Sequence, residues 1–187
     1  SYSYYDDNRL KEVTLPNNSR VSFTYYGDGV RASKETDTYK IEYHYDNGSL
    51  SKEVHLTKTT PPQVIKTIYY NPNSITIEEG STSNTYYYIY DAQGNTSSLT
   101  NSQGGISSTY TYDPFGKILS NSNPSLYNPR LYSGSYGVLY DSETSLYFMN
   151  SRYYDPEVGR FTTKDHYRGE LSSPISQNYY IYCNNDP

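Results

Sequence analysis

A Tyr-Asp pair recurs along this chain of 187 residues at intervals near twenty, usually with a glycine three residues after the Asp. The clearest copies are Tyr43-His-Tyr-Asp-Asn-Gly48, Tyr88-Ile-Tyr-Asp-Ala-Gln-Gly94, Tyr110-Thr-Tyr-Asp-Pro-Phe-Gly116 and Tyr153-Tyr-Asp-Pro-Glu-Val-Gly159. Aligned on the turn, the positions are Asp6, Tyr26, Asp46, Asn71, Asp91 and Asp113, then Asp141 and Asp155 after a disturbed stretch. A period of this length marks a repeat protein whose units bury their faces only by stacking. Twenty residues hold two strands of about six residues and two short turns, hence one β-hairpin per unit. The turn chemistry agrees. Asp at the first position accepts from backbone amides two residues on, and Gly takes the left-handed conformation that starts the returning strand.

Between the turns the side chains alternate. Tyr86, Tyr88 and Tyr90 fall on one face and Tyr87 and Ile89 on the other, so both faces are adhesive there and at least one needs cover. Ile75-Thr-Ile77 and Lys40-Ile-Glu-Tyr-His-Tyr45 show one apolar and one polar face. Leu, Ile, Val and Phe supply only 32 residues, a fraction that by itself would suggest disorder. The 27 Tyr point the other way, because each buries roughly 150–250 Å² while its hydroxyl seeks a partner. With two Ala and many Tyr, Thr, Ser and Asn, strands dominate over helices. The expected fold is all-β: repeated hairpins in a curved, spiralling antiparallel sheet. A loop at 121–128, with Pro124 and Pro129 as punctuation, divides regular hairpins (1–120) from a crowded closing segment (121–187) expected to continue the same sheet.

The charge balance, 15 basic against 20 acidic residues without a basic cluster, argues against nucleic acid as a partner. No apolar run is long enough to cross a bilayer as a helix. The single Cys183 excludes an internal disulfide framework, and a thiol-poor, Asn/Ser/Thr/Tyr-rich chain suits an exported bacterial surface protein. His44, His55 and His166 lack metal-ligand spacing, and the turn aspartates are scattered over separate repeats, so neither a metal nor a cofactor is expected. Asn17 and Asn95 open glycosylation-type triplets of a kind frequent by chance in such a composition.

From Tyr86 onward the chain resembles the Rhs/YD-repeat family, specifically its repeat-associated core. The resemblance rests on Tyr88 to Asn95, Tyr110 to Lys117, Asn128-Pro-Arg-Leu-Tyr-Ser-Gly134, Tyr140 to Tyr147 and Arg152-Tyr-Tyr-Asp-Pro-Glu-Val-Gly-Arg-Phe161, in that order. It implies a structural, non-enzymatic module of a secreted or surface toxin, whose repeats wrap into a hollow shell around a C-terminal effector of the same polypeptide. The recurring copies make Tyr45, Asp46, Gly48, Tyr90, Asp91, Gly94, Tyr112, Asp113, Gly116, Tyr154, Asp155 and Gly159 the structural motif. The resemblance implies as partners that effector and the remaining shell, while exposed tyrosines able to stack on sugar rings make cell-wall glycan an adhesive alternative.

The family core is also similar to a self-cleaving aspartyl site, in which one Asp stands in an Arg-Asp-Pro element. Its counterpart is Asp165, here in Lys164-Asp165-His166, with Lys and His in place of Arg and Pro. The chain reaches Pro187 before a second Asp-Pro-x-Gly element, so it is expected to carry at most half of a site that needs two carboxylates. Arg152 and Arg160 are candidates to clamp Asp155 or Asp165.

Overall fold

The computed structural model describes residues 1–165 and 177–187. Up to Asn121 the chain is one antiparallel meander in which each strand pairs with its sequence neighbours. Its strands are β1 (Tyr2–Tyr4), β2 (Leu10–Thr14), β3 (Arg20–Tyr25), β4 (Arg31–Glu35), β5 (Tyr39–Asp46), β6 (Ser49–Thr57), β7 (Val64–Asn71), β8 (Ser74–Glu79), β9 (Thr82–Tyr90), β10 (Thr96–Thr100), β11 (Ile106–Tyr112) and β12 (Ile118–Asn121). A second antiparallel sheet contains β13 (Leu139–Asp141), β14 (Leu146–Met149), β15 (Arg152–Asp155) and β16 (Arg160–Phe161). The all-β expectation holds. The expected continuity of 121–187 with the hairpin sheet does not, because β13–β16 form a sheet of their own, packed across one face of the first.

The reason is burial. Appended to the edge of the meander, the closing segment would leave one aromatic face wet. Folded back, it buries Tyr147, Tyr153 and Tyr154 to 1 % exposure or less, Tyr153 against Phe23 and the other two at the turn after β11. Phe23 and Tyr153 meet at 4.9 Å between ring centres, and Phe148 lies 5.1 Å from Tyr153 within the second sheet. The opposite face of the meander stays open, with Tyr69, Tyr87 and Ile89 exposed. Hydroxyl pairs knit the strands there: Thr24 with Ser33, Thr76 with Thr85 and Thr111 with Ser120, all at 2.7–2.9 Å. The Tyr86/Tyr88/Tyr90 face is thus the covered one.

Among the described residues one turn recurs six times, beginning at Tyr5, Leu15, Tyr26, Asp91, Asn101 and Asp113. In each, the first residue's N–H donates to the carbonyl four residues on, and its own carbonyl accepts from the amide three residues on. The fourth residue (Asn8, Asn18, Gly29, Gly94, Gly104, Gly116) has φ between 64° and 92°, which only Gly, and less readily Asn, adopts without strain. Both ends of the hairpins use it, so the underlying step is about half the twenty-residue period. Asp91 and Asp113 act as expected: each Oδ1 accepts from two turn amides at 2.9 Å. Asp46 does not. Its turn has two central residues, Asn47 and Gly48, both at positive φ, and Asp46 pairs with Ser49 as the last rung of its ladder. Because Gly follows Asp46 by two positions instead of three, the tighter turn forms.

At three hairpins the tyrosine before the turn ties the hairpin to the previous one. Tyr25 donates to the Leu10 carbonyl (2.6 Å), Tyr45 to that of Arg31 (3.0 Å) and Tyr112 to that of Thr96 (2.8 Å). All three acceptors are first residues of a strand beside a β-bulge, where the ladder is locally interrupted. The repeat therefore couples a turn that creates a bulge with a phenol that satisfies the carbonyl beside it.

Candidate functional site

The seam between the two sheets concentrates the buried polar chemistry. At its centre Asp141, at the end of β13, receives Arg31 on Oδ2 (2.5 Å) and Lys34 on Oδ1 (3.0 Å). Lys34 also reaches Glu143 at 2.8 Å, and the Tyr39 hydroxyl donates to the same Glu143 carboxylate. Arg31 further donates to the Tyr153 hydroxyl at 3.1 Å and lies over the rings of Tyr43 and Phe148. Burial alone would push the Asp141 carboxyl up, but the two cations outweigh it and hold the group below its ordinary range. Aligned by sequence as one more turn Asp, Asp141 is instead the charge that locks the sheets together. The signal separating it from the true turn copies lies in the next four residues: Ser142-Glu-Thr-Ser145 has no Gly, and Ser145 itself takes the left-handed conformation.

A second cluster lies beside it. Glu53 on β6 is fully buried and accepts from Tyr70 (2.9 Å) and Tyr127 (2.6 Å), with His55 Nε2 at 3.1 Å. Burial raises the Glu53 carboxyl, and the His55 hydrogen bond and charge, with the two phenols, bring it below its usual value. Tyr127 belongs to the connection between the sheets, so Glu53 pins that connection to the wall. Farther along it, Thr96 donates to the Arg130 carbonyl at 2.6 Å, and its amide donates to the Leu131 carbonyl at 3.0 Å.

At the far end, the turn of the Asp113 copy is clasped by three tyrosines. Tyr132 donates to the Pro114 carbonyl, Tyr154 to that of Phe115 and Tyr147 to that of Gly116, at 2.8–3.1 Å. Lys117 pairs with Glu157 at 2.8 Å, so the Asp113 and Asp155 turns face each other. Asp155 accepts from the Glu157 amide at 2.9 Å, and Gly159 lies against Phe115. Tyr154 is completely buried, whereas Tyr45, Tyr90 and Tyr112 are half-buried along the seam.

Asp165 lies at the margin. Its carboxylate pairs with Arg152 at 2.7 Å and is 40 % exposed, while its amide donates to the Tyr179 carbonyl at 2.9 Å. Arg152 stacks over Phe161, 3.7 Å from the ring centre. Arg160 is exposed and stands opposite Asp155 in the ladder, so the geometry brings Asp165 to Arg152 and not to Arg160. His166 lies outside the described residues. Among those described, no group of three His, Cys, Asp or Glu could hold a metal ion, and no helix is long and apolar enough to cross a membrane.

The family model described as Teneurin YD-shell matches residues 60–187. Over its whole length the chain is 28 % identical to the tRNA3(Ser)-specific nuclease WapA of Bacillus spizizenii, of which it covers 8 %. It is 29 % identical to Teneurin-1 of Gallus gallus, with 89 % of this chain and 6 % of that protein aligned. A crystal structure of TcdB2-TccC3 without its hypervariable C-terminal region superposes on all of this chain with a TM-score of 0.80, at 21 % identity and over 10 % of that chain. The chain thus spans about a tenth or less of the length of these relatives.

Proposed function

The chain belongs to the Teneurin YD-shell family and is a structural shell module, and from that premise we propose that it forms wall and inner closure of a hollow shell housing a C-terminal effector of the same polypeptide. The observation that carries this reading is the fold-back of the closing segment onto the Tyr-lined face of the meander, fastened there by buried charge. A wall needs one finished face and edges that continue, and β1 and β12 each have one neighbour in the sheet. The parent is secreted or displayed at the cell surface. The test is limited proteolysis of the complete parent polypeptide. The segment after the shell should resist protease until denaturant opens the wall, and cleavage of that segment at the same rate in native and denatured samples would refute housing.

A second reading, self-cleavage of the parent at an aspartyl site, draws on the placement of Asp165 beside Arg152 at the seam margin. Two bands from the parent on a denaturing gel, and a single band for its Asp165→Asn variant, are the expected outcome. A wild-type parent that never splits would remove this reading while leaving the housing test untouched.

A further inference from the structure

Arg130 lies at the floor of a cleft of about 560 Å³, on the rim where the turns of β5–β6 and β7–β8 meet the segment before β13. Five aromatic side chains, Tyr45, Tyr70, Tyr90, Tyr136 and Phe148, are among the residues that line it. Arg130 is the one charged residue among those described that line it, and it is 8 % exposed. Its Nη1 donates to the Asn71 carbonyl (3.2 Å) and its Nη2 weakly to that of Leu50 (3.4 Å), and the guanidinium lies over Tyr70 at 4.6 Å. Its Nε and the Tyr90 hydroxyl are buried without a hydrogen-bond partner among the described residues.

Two comparisons inside the molecule make this unusual. Arg31 and Lys34, buried to a similar degree, are both matched by carboxylates. Arg130 has none among the described residues, since the nearby Glu53 already serves His55, Tyr70 and Tyr127. A buried cation without a counter-charge is costly, and two carbonyls and one ring face only part of this guanidinium. Tyr90 points the same way. Tyr25, Tyr45 and Tyr112, each before a turn, reach a carbonyl beside a bulge one hairpin back, but β7 and β8 pair in continuous register with no bulge for Tyr90 to serve. Tyr90 lines the same cleft as Arg130, whose charge acts against the rise that burial gives the phenol's pKa.

We propose that this cleft binds a carboxylate carried by an extended peptide segment with apolar flanks. One carboxylate oxygen takes Arg130 Nε–H, the other takes Nη2–H, and one of them also accepts from the Tyr90 hydroxyl. That planar pair of donors matches a carboxylate side-on. A phosphate dianion would bring two negative charges to a lining with a single cation. The cleft lies in the volume range of ligand sites, and its aromatic walls suit the apolar neighbours of the acidic residue.

The probes are two capped peptides, acetyl-Leu-Asp-Leu-amide and its Asn counterpart, titrated into the 187-residue chain by calorimetry while the Arg130 Nε–H resonance is followed by NMR. The Asp peptide should bind at least about tenfold tighter than the Asn peptide, the scale of a charge-assisted pair of hydrogen bonds. The Nε–H resonance should move downfield with the same midpoint. Arg130→Lys should weaken binding by about tenfold, since an ammonium cannot form the fork, and Tyr90→Phe by about threefold. In case Arg130 variants fail to fold, Tyr136→Ser removes an exposed wall residue and should weaken binding with an unchanged unfolding curve. Equal affinity for the two peptides, no binding of either, an unmoved Nε–H resonance, or displacement of the Asp peptide by equimolar inorganic phosphate would each overturn the proposal.

Discussion

Neutralising Asp141 is the most incisive perturbation of the seam. In Asp141→Asn the side chain keeps its shape, but Arg31 at 1 % exposure loses its only ion pair among the described residues. Lys34 suffers less, because Glu143 remains at 2.8 Å. Removing one partner of a buried pair costs about 3–5 kcal/mol, since the other charge is left uncompensated. Two features pull toward the lower end. The rings of Tyr43 and Phe148 still face the guanidinium at 4.3 and 4.9 Å, and the Asn oxygen still accepts one hydrogen bond. The expected loss is about 3 kcal/mol, which for a urea m-value near 2 kcal/mol/M lowers the unfolding midpoint by about 1.5 M. Far-UV circular dichroism in urea at pH 7 measures it. The double variant Arg31→Met, Asp141→Leu should be more stable than Asp141→Asn, because an apolar pair leaves no orphan charge. The pH dependence has a fixed sign. The folded Asp141 carboxyl lies below its unfolded value of 3.8, so its contribution is complete above that value and is lost as pH falls through the folded one. The gap between wild type and Asp141→Asn should therefore close in acid. A loss under about 1 kcal/mol, or a double variant no better than the single one, would refute the assignment of Asp141 as the lock of the two sheets.

The Glu53→Gln variant should lose about 1–3 kcal/mol at pH 7, because the amide cannot accept from both phenols and His55 at once. The folded Glu53 carboxyl also lies below its unfolded 4.5, so this deficit should likewise shrink as pH drops below that value, and a deficit growing in acid would contradict it. Glycine substitutions separate strain from crowding. Gly48→Ala meets no atom within 4 Å and should cost only the left-handed penalty of about 1–2 kcal/mol. Gly116→Ala has the same backbone penalty, and its new methyl would stand 2.6 Å from the buried Tyr132 ring. Chemical denaturation should place Gly116→Ala at least about 1 kcal/mol below Gly48→Ala, and equal costs would show that the Tyr132 clasp yields freely.

The hairpin meander was legible because it is written locally. A period of two marks Tyr86, Tyr88 and Tyr90 as one face, and the turn residues recur at a fixed offset from the phenol that anchors them. Asp91 and Asp113 each cap their own amides within four residues, so sequence neighbours suffice to read them. The seam is written differently. Arg31 and Asp141 are 110 positions apart, and nothing near either residue names the other. Asp141 even carries the Tyr-Asp signature of the turns, and only the missing Gly distinguishes it. The same holds for the sheet boundary: Pro124 and Pro129 mark a break, but whether the next strands extend an edge or cross a face depends on area buried at long range.

Tyrosine is what makes these two scales compatible. In the meander its hydroxyl answers a carbonyl one hairpin back, and in the second sheet the same group answers the carbonyls of Pro114, Phe115 and Gly116 across the seam. An aliphatic residue would bury area at either place but leave those carbonyls unsatisfied, at a cost of about 1–3 kcal/mol each where water is excluded. A chain poor in Leu, Ile and Val can therefore close a wall upon itself, provided every turn presents its carbonyls where a phenol can reach them. Tyr90 breaks that pattern: the hairpin behind it offers no bulge, and it shares a cleft with an arginine without a carboxylate among the described residues. The departure from the repeat and the unmatched charge coincide in one cleft, and a single carboxylate would satisfy both.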